Sequence, residues 1–445
     1  MRARLVAMSF ACAVLATLAA AACRFTSGLT GGEEPDGGGA LDGSVGPGCD
    51  ADITRAIDNC GACGHACTPG ANSFAACVDG GCVLSCAAGF GDCDDAGAAT
   101  GCETNLQNTR SSCGRCGHDC QGGNCQGGAC QPVTLSSVIN SPIHIVLDDT
   151  NVYGINAYGT VTRIPKAGGT LTQLSPGDTT AQSPAPHLAL GAGVIYYTSF
   201  SGDAGGIDGG AQGTVFDVPL DGGKPQVLTT ANQPFAIDAT ATALFWSEGN
   251  PGSGPYNTSV KRCKLPGCTS VNTEVASQGG RIFSLVADAN NLVWANAGTP
   301  PNTPDSTVSR CTPGTCAATA APLTTTPPSP TNPFGLALDK TTAYFTTGGG
   351  FIASCPLMGC SADAQRLDSF QFTPRFIATD GTTLYWTNAD GTVKSLPKGG
   401  PATSERTIYQ NRGASPWDIA VDANAVYWTD LNGPAGASIL FKLAR

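Results

Sequence analysis

The sequence predicts an all-β chain, a seven-bladed β-propeller preceded by a small disulfide-rich module, and three observations carry that prediction. One short pattern recurs seven times between residues 148 and 430, strand-forming stretches are separated throughout by Gly, Pro, Asp and Asn, and fourteen of the 22 cysteines crowd into residues 49–130.

The last copy of the pattern is the clearest. It runs from an apolar strand (Ile419-Ala420-Val421) through a tight turn at Asp422 into an aromatic strand (Val426-Tyr427-Trp428). Anchored on the turn residue, the copies fall at Asp148, Gly191, Thr240, Asp288, Asp339, Asp380 and Asp422, at intervals of 43, 49, 48, 51, 41 and 42 residues. Such a period belongs to four-stranded blades and not to helical solenoids. Complete copies add a third strand such as Thr392 to Leu396 and a fourth such as Arg406 to Tyr409, rich in the β-branched and aromatic residues that suit a pleated, half-buried surface. After residue 23 no segment has the apolar periodicity of an amphipathic helix.

The two ends of the repeat array are complementary. The last copy stops after a third strand, Ile439 to Leu443, whereas Pro132 to Val138 precedes the first copy as a strand without a hairpin partner. Their pairing closes the ring within one blade and removes the edges that otherwise template aggregation. The aromatics of the second strands are expected between blades, since each buried ring withdraws roughly 150–250 Å² from water, about 4–6 kcal/mol.

Tyr427-Trp428-Thr429-Asp430 and Tyr385-Trp386-Thr387-Asn388 resemble the repeat signature of YWTD-type (and NHL-like) propellers, a family of extracellular binding modules. The resemblance implies an exported propeller that binds a partner. The family is six-bladed, so six blades stand as the alternative to the seven counted copies.

Ahead of the propeller the chain divides into three parts. Residues 1–22 read as a signal peptide: Arg2 and Arg4, then an apolar run to Ala22. The following Cys23 resembles the acylated cysteine of bacterial lipoproteins, although Ala20 stands where that family usually has Leu; simple secretion is the other reading. Residues 23–48 are Gly-rich and acidic with almost nothing to bury, as expected of a disordered tether. Loss of Arg2 and Arg4 takes the net charge from −11 to −13, and no Lys/Arg run exists that could neutralise phosphates, so nucleic acid is excluded as a partner. No second apolar stretch is long enough to cross a bilayer, which leaves membrane attachment to the lipid.

Residues 49–130 hold too few large apolar residues to fold on a core, so their cysteines must staple them. Within them Cys60-Gly61-Ala62-Cys63-Gly64-His65-Ala66-Cys67 recurs as Cys113-Gly114-Arg115-Cys116-Gly117-His118-Asp119-Cys120. Three cysteines and a histidine in eight residues suit zinc as well as disulfides; behind a signal peptide disulfides are expected, with His65 and His118 as exposed turn residues. The pattern is similar to cysteine-rich modules of secreted myxobacterial proteins, from which no activity carries over. Asp92, Asp94, Gly97 and Glu103 fall at calcium-loop positions, but Ala96 interrupts them, and a loop closed by Cys93 and Cys102 is the competing expectation. The remaining pairs, Cys263 with Cys268, Cys311 with Cys316 and Cys355 with Cys360, have one spacing and replace the hairpin between strands three and four in consecutive blades. They are expected to be structural disulfides. The propeller itself spans residues 131–445.

No nucleophile elbow, phosphate loop, metalloprotease motif or cysteine-protease signature occurs, and neither a cofactor nor a bound metal is expected. Two histidines share one repeat slot, four residues before the turn, which reads His144, His187, Ala236, Ser284, Gly335, Phe376 and Asp418 around the ring. The slot opens each innermost strand at the mouth of the central channel. His144, His187, Ser284, Phe376 and Asp418, with Arg375 and Trp417 one residue earlier, are therefore the candidate ligand-binding residues; solvated channel residues without a role are the plain alternative. Three connections between second and third strands on the same face are long (Ser199 to Gln212, Glu248 to Asn257, Asn296 to Ser306), whereas Thr347 to Gly350 and Asn388 to Gly391 are short. The expectation is a monomeric, lipid-anchored or secreted cell-envelope protein with a non-catalytic propeller recognising a protein or polysaccharide. A lyase- or hydrolase-type enzyme using His144, His187 and Asp418 is the alternative.

Overall fold

Seven antiparallel four-stranded sheets follow one another along the chain, each with its strands in sequence order except the last. The structure, a computed structural model, describes residues 52–94, 101–136, 142–177, 187–200, 212–249, 257–297, 306–324, 332–360, 364–432 and 438–445. The signal, tether and lipidation expectations, including Cys23 and Cys49, lie outside these residues, as do the interiors of the three long connections. Ile53–Arg445 form one compact unit.

Blade one comprises Pro142–Leu147, Asn151–Asn156, Val161–Pro165 and Thr172–Ser175, with the first strand innermost. Blade seven comprises Pro416–Val421, Ala425–Asp430 and Ile439–Ala444, and its fourth strand is Val133–Ser136 from the other end of the propeller. Leu440 pairs with Ser136 and Lys442 with Val133, so the ring closes as the orphan strand requires, and the blade number is seven. A one-turn helix, Cys316–Thr319, interrupts the β pattern inside a disulfide hairpin.

Apolar side chains bury themselves between blades, and each of the seven interfaces has its own cluster. Between blades six and seven Tyr385, Val393, Val426 and Trp428 pack together; between seven and one Tyr427, Leu440, Val152 and Ile164 do the same. Trp246, Trp294, Trp386 and Trp428 are fully buried, so the repeat aromatics are core and not a ligand cage.

The turn residue explains its own recurrence. In blades one, four, five, six and seven an Asp Oδ1 accepts the backbone N–H groups two and three residues on, as at Asp380, where Thr382 and Thr383 donate at 2.6 and 2.8 Å. The other oxygen accepts the hydroxyl of the Tyr five residues later in four of these, Tyr153, Tyr344, Tyr385 and Tyr427. At three consecutive interfaces a cation placed just after the third strand of the next blade completes the set. Lys398 pairs with Asp339, Arg445 with Asp380, and Lys166 with Asp422 across the closing interface at 2.6 Å, each cation also lying over the Tyr ring. Leu220, Leu265 and Leu357 occupy that position in blades two, three and five. The underside of blades three, four and five carries the disulfides Cys263–Cys268, Cys311–Cys316 and Cys355–Cys360 instead.

In the disulfide-rich region the two repeats are stapled alike. Cys60 joins Cys77 and Cys67 joins Cys82, matched by Cys113 with Cys125 and Cys120 with Cys130. Gly61 and Gly114 are needed because a Cβ there would lie 2.4 Å from the carbonyl oxygens of Gly80 and Gly128. Two expectations are corrected. Cys93 does not close a loop with Cys102: it joins Cys116 and ties the segment between the repeats to the second repeat, while Cys102 joins Cys86. His118 is half-buried and not exposed, its Nδ1 2.6 Å from the Cys113 carbonyl; His65 makes the same contact at 2.7 Å and is exposed.

The Asp–Tyr–cation sets make stability depend on pH. Burial raises the Asp339 carboxyl, but hydrogen bonds from Lys398, Thr341 and Tyr344 more than offset this and hold it well below the usual range. A depressed carboxyl contributes stability above its unfolded pKa, about 3.9, and loses it as the pH falls through the folded value. Wild type is therefore expected to exceed Lys398→Met in urea-unfolding stability at pH 6, by a margin that shrinks as the pH falls below about 4. A margin independent of pH would show that the pair contributes packing alone.

Candidate functional site

The inner strands are positioned by a hydroxyl repeated on the second strands. In blade six the Thr387 hydroxyl accepts the Phe376 N–H at 3.3 Å and donates to the Trp417 carbonyl of blade seven at 2.6 Å. Thr198 accepts the His187 N–H at 3.2 Å and donates to Phe235 at 2.8 Å, and Ser247 links Ala236 to Ile282 in the same way at 3.0 and 3.4 Å. Thr346 joins the Gly335 N–H to the Arg375 carbonyl. In blade seven Thr429 accepts the Asp418 N–H at 3.0 Å, and Asp418 Oδ2 itself grips blade one through the Ile145 N–H at 2.7 Å. All five hydroxyl residues are buried, and each sits seven residues after the turn. Ile155 and Ala295 fill this place in blades one and four.

The bridges from Thr198, Thr346 and Thr387 set a slot residue of one blade and the residue before the slot of the next at the channel mouth, and Ser247 reaches one residue earlier, to Ile282. Gly335 is confined by this closeness, since a Cβ would stand 2.5 Å from the Arg375 carbonyl oxygen. The expected neighbours do meet: the rings of His144 and His187 lie 4.7 Å apart, and His144 Nδ1 is 3.7 Å from Asp418 Oδ2. That distance is too long for a hydrogen bond.

Three further residues complete the mouth. Phe235, Phe283 and Phe334 precede the slot in blades three, four and five, in the row that holds Arg375 and Trp417 in blades six and seven. Rings therefore touch in a closed collar: His187–Phe235 at 5.1 Å, Phe235–Phe283 at 5.7 Å, Phe283–Phe334 at 5.4 Å, Phe334–Phe376 at 5.2 Å and Phe376–His144 at 6.0 Å. Phe376 also comes within 6.5 Å of His187, so it reaches across the channel. Trp417 joins through Phe334 and Phe376. Arg375 is stacked on Trp417 at 4.5 Å and committed to Ser415 Oγ and the Pro416 carbonyl at 2.9 and 2.8 Å, so it orients the collar rather than facing the channel. Reading down the row before the slot, and not along single repeats, was the signal for these phenylalanines.

Beneath the collar lies a cavity of about 200 Å³ lined by His144, His187, Ser284, Phe376 and Asp418 among others. Asp238 of blade three, two residues beyond the slot, also faces it. Its carboxylate accepts the N–H groups of Ala287 and Ala239 at 2.7 and 2.8 Å, yet burial outweighs these bonds and pushes it up to about 6. Burial likewise raises Asp418 against the pull of His144, and it drives His187 well below the usual histidine range, with the neighbouring His144 adding to the effect. His187 is thus a neutral ring at pH 7. In the disulfide-rich region Asp92, Asp94 and Glu103 converge at the expected calcium-loop positions, and Glu103 accepts the Cys93 N–H at 2.9 Å. Ala96 and Gly97 lie outside the described residues. The cysteine sets with zinc-like spacing are those held in disulfides.

Replacing Thr387 by Val keeps the side chain's shape while leaving a buried N–H and a buried carbonyl without their partner. The expected cost is about 2 kcal/mol or more in urea unfolding, whereas a cost under about 0.5 kcal/mol would show that the hydroxyl is not what joins blades six and seven.

No family model and no curated protein matches the chain. Among solved structures it is similar to the WD40 β-propeller domain of Doa1, at 14% identity and a TM-score of 0.50, covering 69% of this chain and 95% of that one. It is also similar to YCF48 from Cyanidioschyzon merolae, at 11% identity and a TM-score of 0.51, covering 70% and 98% respectively. Likeness at this identity is a likeness of fold: the chain is a β-propeller.

Proposed function

We propose that this is a cell-envelope protein, exported and held by a lipid on Cys23, whose propeller is a non-catalytic scaffold that binds a protein or polysaccharide on its rim face. The observation that carries the binding reading is the collar, a contiguous set of rings at the channel mouth of which Phe235, Phe283, Phe334 and Trp417 are half-buried and keep part of their surface in water. Apolar rings grouped at a surface and left partly in water mark recognition sites more often than they serve stability. A second feature of the same face agrees. The connection from blade five to blade six leaves Phe370 at 99% and Phe372 at 64% exposure. Between them Gln371 is buried and holds the loop rigid, accepting from Trp386 Nε1 and Asn388 Nδ2 at 3.2 and 3.0 Å and donating to Glu405 at 2.7 Å. Phe370 and Thr373 both adopt a left-handed backbone, at φ 64° and 48°, an unfavourable arrangement that no packing of Phe370 repays.

Export is supported by the nine described disulfides, which persist in oxidising compartments, and by the similarity of Tyr427 to Asp430 to the YWTD signature. The likeness of the disulfide-rich region to secreted myxobacterial modules points the same way. A lyase or hydrolase reading draws on the contact between Asp418 and His144 beside the neutral His187. Binding is preferred because the partly exposed rings form one continuous surface, whereas the His144–Asp418 contact at 3.7 Å is too long for a hydrogen bond.

The test is retention on the envelope fraction of the producing cells. Phe283→Ala with Phe334→Ala is expected to lower retention of the delipidated protein about tenfold or more with the fold intact. Equal retention of variant and wild type would remove the rim face as the binding surface.

A further inference from the structure

The cavity under the collar has an unusual charge balance. Asp238 and Asp418 lie on blades three and seven, both deep in the ring, and both face the same space. Among the described residues that line it none is Lys or Arg, and the nearest basic group to either acid is the His144 ring, 3.7 Å from Asp418. Asp238 is held by two backbone N–H groups and, among the described residues, by no cation. Buried carboxylates are ordinarily paired, because an ion taken out of water without a counter-charge is costly. Burial without such a partner is what raises the Asp238 carboxyl.

Of the collar's phenylalanines Phe376 lines the cavity, and Phe334, Phe283 and Phe235 stand in ring contact with one another at the mouth outside it. Their π faces and edges attract cations and apolar stems alike. Two carboxylates in the lining, Asp418 at the level of the histidines and Asp238 two residues further along its strand, with a neutral His187 and aromatic rings at the mouth, therefore describe a site that is both acidic and aromatic. We infer that this chamber takes a protonated amine or guanidinium carried on a short apolar stem, supplied as a basic side chain of the partner bound at the rim face. The inference rests on the rim-face reading above and names the chemistry of its centre. A metal ion fits less well, since the three-ligand clusters found among the described residues lie in the disulfide-rich region and not here. The net charge of −11 favours the approach of a cation over the whole surface. Because Phe376 spans the channel, a ligand arriving from the rim must turn that one ring aside.

The experiment titrates the full chain by calorimetry with n-butylammonium chloride, with N-acetyl-lysine amide, and with 1-butanol as the uncharged probe of the same stem. Both amines are expected to bind saturably, 1-butanol at least about tenfold more weakly, and Asp238→Asn to weaken both amines by about tenfold or more. Phe376→Ala, which opens the mouth, is expected to keep or strengthen amine binding. Equal binding of 1-butanol, or of the amines to Asp238→Asn with an intact fold, would overturn the cationic assignment, as would absence of amine binding to wild type. Binding of butylammonium without the lysine amide would overturn the side-chain source. The two readings separate cleanly: lost envelope retention in Phe283→Ala/Phe334→Ala together with no amine binding keeps the rim face and removes the cation, and the converse result keeps the cation site and removes the partner.

Discussion

The bridge made by one hydroxyl between neighbouring blades is the contact on which the rest of this molecule turns. Thr387 accepts from the inner strand of its own blade and donates to the inner strand of the next, so a single side chain fixes both the start of a strand and the angle between two blades. Repeated at Thr198, Ser247 and Thr346, the bridge places successive pairs of residues at the channel mouth with little freedom. At the closing interface Asp418 takes over the outward half of the task through Ile145. The residue that closes the ring is thus also one wall of the acidic chamber, and fold and site share an atom.

The two faces of the propeller are held differently. On the underside, blades three to five are pinned within themselves by disulfides, while blades six, seven and one are pinned to their neighbours by a carboxylate, a tyrosine and a cation. The half of the ring in which the first and last strands of the propeller meet is the half with ionic clamps, where closure depends on blade-to-blade attachment. With the underside fixed, the rim face can hold partly exposed rings without losing its shape, which is what preorganised recognition requires.

Much of the fold was legible because it is periodic. Seven turn residues, an orphan strand and an incomplete last copy determine blade number and closure without reference to any contact. The His144, His187 and Asp418 neighbourhood followed from the same alignment. What stayed hidden has physical reasons. Phe235, Phe283 and Phe334 look like ordinary core residues in their own repeats, and their role exists only as a ring drawn from separate blades. Asp238 sits where other blades carry Val or Ala, so no repeat marks it. The Cys93–Cys116 link could not be read because disulfide pairing depends on how the segment between the repeats folds back on the second repeat, and nearness in sequence favoured Cys102 instead.

The most direct test places a photoreactive benzophenone residue at Phe283 in the collar and, separately, at Met358 on the underside, in cells that make the protein. Illumination is expected to give a covalent adduct of defined mass from position 283 and none above background from the exposed Met358. Adducts of equal yield from both positions, or from Met358 alone, would contradict the claim that the collar is where this propeller meets its partner.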